Sequence, residues 1–139
     1  MTNASVTWAE GMPLVARGDS GHAIVIDTKV EDGGFGLGSS PMEVLLMGVV
    51  GCTALDVISI LKKKRQPVSG LRVLATGERA SEHPKSYTKI HLEYIATGEV
   101  DPQALARAIQ LSEEKYCPAI ATVRGSTQVT SSYRVEVPG

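Results

Sequence analysis

The N-terminal third breaks into short stretches of strand-forming residues, Ser5 to Glu10, Pro13 to Arg17 and His22 to Thr28. Gly11, the Gly18-Asp19-Ser20-Gly21 cluster and Asp32-Gly33-Gly34 punctuate them as turns. Strands this close in sequence pair locally, so an antiparallel meander is expected. The pattern then turns helical. Ser40 is placed to cap a helix, Pro41 suits its first position, and Glu43 completes a Ser-x-x-Glu capping box. Lys62 to Arg65 complement the negative end of the helix dipole, and Pro67 marks the stop. Between them Val44, Leu45, Leu46, Met47, Val49, Val50, Leu55, Val57, Ile58, Ile60 and Leu61 leave almost no polar face. A helix apolar all round is expected to be buried on most sides. A domain this small has trouble surrounding it alone, which points to a partner subunit.

Two alternating segments follow. Leu71, Val73 and Ala75 interleave with Arg72, Leu74 and Thr76; Thr88, Ile90, Leu92, Tyr94 and Ala96 interleave with Lys89, His91, Glu93 and Ile95. Asp101 and Pro102 open a second helix with Leu105, Ala108, Ile109, Ser112 and Tyr116 on one face, expected to break near Pro118. Pro118 to Val123 suits one more short turn, closed by Gly125, and Thr127 to Glu136 alternates as a last strand. The order ββ(β)-α-ββ-α-β predicts an α+β fold, with residues 1–139 forming one domain.

Composition narrows the function classes. With 139 residues, a formal net charge of −1, one Trp, one Phe and four Tyr, the chain has neither the positive field nor the stacking surfaces of a nucleic-acid binder. Met42 to Leu61 approaches membrane-spanning length, but Glu43 and Asp56 interrupt it. A carboxylate at mid-bilayer costs about 2.5–3.5 kcal/mol, so no membrane span is expected. Met1 to Glu10 carries no basic cluster and no apolar run, so no secretory signal is expected and the address is cytoplasmic. In that reducing compartment Cys52 and Cys117 are expected as thiols rather than a permanent bridge.

Cys52 falls in the middle of the apolar helix, where a small filler beside Gly48 and Gly51 is one reading. A reactive thiol is the other; it gets no help from a helix N-terminus there, and Asp56, one turn along, disfavours a thiolate if ionised. Cys117 precedes Pro118 and so sits at the N-cap of the turn that follows, where peptide dipoles favour an anion. It is either an inert junction cysteine or a second reactive thiol. The two are too far apart in sequence for a CxxC motif. His22, His83 and His91 lack metal-ligand spacing, so no metal is expected. The Gly33-Gly34-Phe35-Gly36-Leu37-Gly38 run lacks both GxGxxG and GK[ST] spacing, and reads as a turn before the helix cap rather than a phosphate cradle.

Taken together, Ser40-Pro41-Met42-Glu43-Val44-Leu45-Leu46, Gly51-Cys52-Thr53-Ala54, Cys117-Pro118 and Arg124-Gly125 resemble the OsmC/Ohr family of osmotically inducible and organic hydroperoxide resistance proteins. The resemblance runs over the whole chain. Pro-Met-Glu and the Gly-Cys-Thr-Ala-x-Asp stretch from Gly51 to Asp56 are similar to its YhfA-like branch. It implies an intertwined homodimer with antiparallel sheets wrapped around two main helices and the sites at the subunit interface. It also implies a dithiol-dependent peroxidase for organic hydroperoxides. Cys52 would attack as a thiolate and become a sulfenic acid, and Cys117 would condense with it into a disulfide that a lipoyl-type dithiol reduces. No metal, haem or flavin cofactor is implied. The family's thiolate-stabilising Arg corresponds best to Arg17. Its catalytic Glu directly follows the helix-opening proline, where this chain has Met42; Glu43 comes one place later, about 100° around the helix. That departure favours an alternative, a small-molecule-binding or redox-sensing protein with an apolar pocket.

Overall fold

The computed structural model describes residues 1–8, 11 and 13–138. The chain forms two compact units, Met1–Leu45 and Leu46–Gly139.

In the first unit, β1 (Ala4–Thr7), β2 (Leu14–Gly18) and β3 (Ala23–Ile26) form the expected antiparallel meander, with Ser5 opposite Arg17 and Arg17 opposite Ala23. Ala9 and Glu10, the end of the first expected strand, lie outside the described residues. The glycine run after β3 is a tight loop held from within. Asp27 accepts backbone N–H groups from Thr28 at 2.7 Å, Phe35 at 3.2 Å and Leu37 at 3.1 Å. Gly33 adopts φ 92°, and a Cβ on Gly34 would lie 2.2 Å from the Thr28 carbonyl oxygen, so the loop needs glycine at both places for different reasons. The three amide donors, Leu37 foremost, hold the Asp27 carboxyl below the usual aspartate range. A depressed carboxyl contributes stability that is present above its unfolded value and lost as pH falls through the folded one. Replacing Asp27 by Ala is therefore expected to lower the melting temperature at neutral pH. The gap to the parent protein should close on acidification; a gap that does not depend on pH would show that the carboxylate charge contributes nothing.

Helix α1 (Pro41–Lys63) begins with the expected capping box, complete in both directions. Ser40 N–H donates to Glu43 Oε2 at 2.8 Å, and Glu43 N–H donates to Ser40 Oγ at 3.3 Å. At the far end Arg65 turns to φ 57° and Gln66 N–H closes on the Leu61 carbonyl at 3.0 Å, which ends the helix before Pro67. The expectation that α1 is buried on most sides does not hold within one chain. Val49, Thr53, Val57 and Leu61 are buried, one stripe at a spacing of four residues, while Leu45, Met47 and Leu55 stay exposed. One chain of this size covers a single helix face and no more.

The second unit is built on β4 (Val68–Arg79) and β5 (Tyr87–Gly98), an antiparallel hairpin, with β6 (Gln128–Glu136) beside β5. Pairing between β5 and β6 is parallel, so this sheet is mixed and the expectation of wholly antiparallel sheets is corrected. The long return through helices α2 (Pro102–Leu111) and α3 (Pro118–Arg124) is what allows a parallel neighbour. Alternation on β5 puts Ile90, Leu92, Tyr94 and Ala96 in the core with Val57, Leu61, Leu105, Ala108 and Ile120. Asp101 caps α2 through Gln103 N–H at 3.0 Å, as its sequence indicates.

The second helix does not continue to Pro118. It changes at Ser112 into a single wide π-turn, Ser112–Tyr116, closed by Cys117 N–H on the Ser112 carbonyl at 2.8 Å. This wider turn shifts the residues after Ser112 around the axis, so Tyr116, expected on the inner face, is half exposed at 50%.

Candidate functional site

Helix α1 carries Cys52 at its middle, half-buried beside the inward stripe. Cys117 is almost completely buried at the N-cap of α3, where Ile120 N–H donates to its Sγ at 3.4 Å. The cap geometry is the one the Cys-Pro sequence indicates. Its electrostatic result differs. Burial, the largest influence, pushes the Cys117 thiol up to about 11; the Ile120 amide opposes this, and Cys52 beside it adds to the rise. The expected anion-favouring effect of the cap is therefore present but outweighed. Cys52 and Cys117, distant in sequence, lie close enough for Cys52 to raise the Cys117 thiol.

Around this pair lies a set of polar side chains that the sequence reading did not assemble. Thr53 Oγ1, fully buried next to Cys52 in sequence, contacts Tyr94 OH and Ser112 Oγ at 2.8 Å each. Ser112 Oγ donates to Asp56 Oδ2 at 2.9 Å, and Tyr94 OH donates to Glu113 Oε2 at 2.9 Å. Ser131 Oγ reaches the other Glu113 oxygen at 3.2 Å, and the Arg124 guanidinium donates to the Glu113 carbonyl. A signal for these residues was present in the sequence. Thr53, Tyr94 and Ser112 are polar residues in mainly apolar inward registers, on α1, on β5 and at the C-cap of α2 respectively. Groups buried that way need one another as hydrogen-bond partners. Asp56 also lines an open groove of about 490 Å³ with Ser59, Ile60, Lys63, Lys64, Leu111 and Tyr116.

The remaining predicted site residues lie elsewhere. Arg17 is exposed on β2 in the first unit, where it lines a shallow apolar hollow with Ser5, His22, Ile24 and Val44. Glu43 has its carboxylate on the Ser40 amide at the start of α1, and Met42 beside it is half-buried. His91 bonds Thr130 and Ser132 across the sheet, and His22 bonds Ser20. Among the described residues no group of three or more His, Cys, Asp or Glu side chains could hold a metal ion.

Comparison with known proteins agrees on one family. Residues 33–132 match the model for OsmC-like protein. The Escherichia coli (strain K12) protein YhfA is 41% identical over 133 residues, covering 95% of this chain and 96% of that protein. A crystal structure of a hypothetical protein from Aquifex aeolicus VF5 superposes with a TM-score of 0.87 at 33% identity, over 100% of this chain and 98% of that one. An organic hydroperoxide resistance protein OsmC from Legionella pneumophila shares the fold at a TM-score of 0.74 and 17% identity, each chain covered to 97%. Helix α1 meets the length and composition of a membrane span, yet it falls inside the region matched by the OsmC-like model and within this shared fold.

Proposed function

This chain belongs to the OsmC-like family, and on that premise we propose that it reduces organic hydroperoxides through its two thiols. The observation that carries the reading is the proximity of Cys52 and Cys117, one half-buried and the other buried. In the proposed cycle the Cys52 thiolate attacks the outer peroxide oxygen, the O–O bond breaks, and the alcohol leaves with a proton. Cys52 is left as a sulfenic acid. The Cys117 thiol then displaces its hydroxyl as water and forms the disulfide, which a lipoyl-type dithiol returns to two thiols. Atoms and electrons balance without a metal or organic cofactor. Arg17 is assigned to hold the Cys52 thiolate in the assembled protein, and Glu43 a role at the helix entrance, where its cap fixes the start of α1. Exposed Leu45, Met47 and Leu55 on α1 support a homodimer, because an apolar helix face of this extent gains by being covered.

Thiol mapping by mass spectrometry after exposure to cumene hydroperoxide or hydrogen peroxide tests the reading. A Cys52–Cys117 disulfide that forms faster with the organic peroxide and reverses with dithiothreitol is expected; two thiols that oxidise slowly and equally would sink it. The pH dependence adds a sharper expectation. Condensation depends on the thiolate fraction of Cys117, which grows about tenfold per pH unit below the thiol's value near 11. Disulfide closure from preformed sulfenic acid should therefore accelerate steadily from neutral to alkaline pH, and a flat profile would mean that another group sets its rate.

One feature favours a second reading, a binding or sensing protein that uses the same family pocket for an apolar molecule. Met42 stands where the family's Glu would act, and Glu43 is engaged at the cap. Ligand binding that survives replacement of both cysteines, in a protein without peroxide turnover, is the outcome that selects it.

A further inference from the structure

Ser112 directs each of its polar groups to a different part of the second unit. Its N–H donates back to the Ala108 and Ile109 carbonyls at the end of α2. Its carbonyl accepts the Cys117 N–H at 2.8 Å and so closes the wide turn Ser112–Tyr116. Its hydroxyl reaches across to α1, donating to Asp56 Oδ2 at 2.9 Å and lying 2.8 Å from Thr53 Oγ1. With the Ser112 hydrogen on Asp56, Thr53 is the donor in the second contact. Thr53 directly follows Cys52 in the chain, and both Thr53 and Ser112 are fully buried. One residue therefore holds the Cys117 backbone by its main chain and the Cys52 helix by its side chain. Cys52 and Cys117 themselves are close enough for one thiol to act on the other.

We propose that Ser112 and Thr53 are positioning residues for disulfide closure: their buried hydrogen bond fixes the turn that carries Cys117 against the helix that carries Cys52. The positioning rests on the thiol chemistry proposed above and deepens its second step. Two sulfurs on separate elements must meet in line before a bond forms, and a turn free to drift has to be ordered each time. The Ser112–Tyr116 turn is short and irregular, so its place is set by what anchors it rather than by helical continuity. The first step, attack of Cys52 on a peroxide, does not involve Cys117, so a loss confined to this bridge falls on closure. Two substitutions sever the bridge and leave little else unpaired. Ser112→Ala keeps the carbonyl on the Cys117 N–H, leaves Thr53 with Tyr94 OH, and leaves half-buried Asp56 to water. Thr53→Val keeps the side-chain shape, with Ser112 still on Asp56 and Tyr94 still on Glu113.

The test is a redox titration of the full chain in mixtures of reduced and oxidised glutathione, with the Cys52–Cys117 disulfide counted by mass spectrometry. Two protein thiols and one glutathione disulfide give one protein disulfide and two glutathione thiols. The equilibrium ratio therefore measures the effective concentration of one protein thiol at the other. It is expected to fall about fivefold in Ser112→Ala and in Thr53→Val, the scale of one buried hydrogen bond. In the double variant it should fall no further, because either change severs the same contact. Ile90→Val truncates the core four residues along β5 from Tyr94, about 13 Å away. That control should lower the melting temperature and leave the ratio at the parent value. Parent ratios in both bridge variants, falls that add in the double variant, or an equal fall in Ile90→Val overturn the proposal. A parent chain that takes glutathione onto Cys52 without closing overturns it together with the thiol reading. Closure that depends on the bridge, in a protein inert to cumene hydroperoxide, supports the positioning and removes the peroxidase alone.

Discussion

Replacement of Cys52 by Ser is expected to reduce organic hydroperoxide consumption to background, a loss at least on the order of 10³-fold, while leaving the melting temperature nearly unchanged. The hydroxyl of serine is far less acidic than a thiol and a much poorer nucleophile, and a member of a catalytic unit has no substitute within it. Cys52 is half-buried and lies off the stripe formed by Val49, Thr53, Val57 and Leu61, so removing its sulfur opens no large cavity. The combination matters. A variant that loses both activity and fold would say nothing about chemistry, whereas lost turnover with an unaltered unfolding transition identifies the attacking atom. Cys117→Ser should behave differently, because Cys52 would still be oxidised once and would then stop as a sulfenic acid that a dimedone-type reagent traps. Equal turnover in the parent and the Cys52 variant removes the peroxidase reading altogether.

Tyr94→Ala is expected to have the largest effect on stability. Its ring is fully buried at the centre of β5, among the inward Ile90, Leu92 and Ala96. Deleting a buried aromatic side chain costs about 3–5 kcal/mol, a large part of the roughly 5–15 kcal/mol that holds a typical domain together. The same deletion removes a hydrogen-bond partner from buried Thr53 and from Glu113. Chemical denaturation should show the midpoint collapsing. Tyr94→Phe should lose much less, since the ring and its packing remain. If the two substitutions were equally mild, the core would have to be looser around Tyr94 than its complete burial indicates.

Local signals made most of the elements legible. Ser40-x-x-Glu43 followed by a long apolar run, and ended by a basic cluster and Pro67, gave α1 to within a residue or two, because capping and dipole effects act within single turns. Alternation gave β4 and β5 for the same reason. The parallel placement of β6 was not legible: a strand's own alternation carries no information about its neighbour's direction. The change to a π-turn at Ser112 escaped as well, since the helical face from Leu105 to Ser112 continues smoothly in sequence towards Tyr116. At the candidate site, the Cys-Pro junction revealed the N-cap of α3 but not the depth of burial, and burial decides the acidity of Cys117. Proximity of Cys52 to Cys117 rested on family resemblance, because no spacing rule connects the middle of one helix to the start of another. Thr53, Tyr94 and Ser112 could have been found together by asking why inward apolar registers on three elements admit hydroxyls.

The parallel seam between β5 and β6 also sets an order of events during synthesis. β4 and β5 are neighbours in sequence and can zip together as soon as Gly98 is available. β6, a nine-residue strand, must wait until the Pro102–Arg124 return has been made and closed. Until then one edge of β5 presents open amides and carbonyls, with the apolar residues of the strand uncovered on one side. Contacts so far apart along the chain form slowly, so the unprotected stage is passed through each time the chain folds. Chains truncated within Gln128–Glu136 should therefore accumulate as hairpin-containing aggregates rather than as slightly weakened protein.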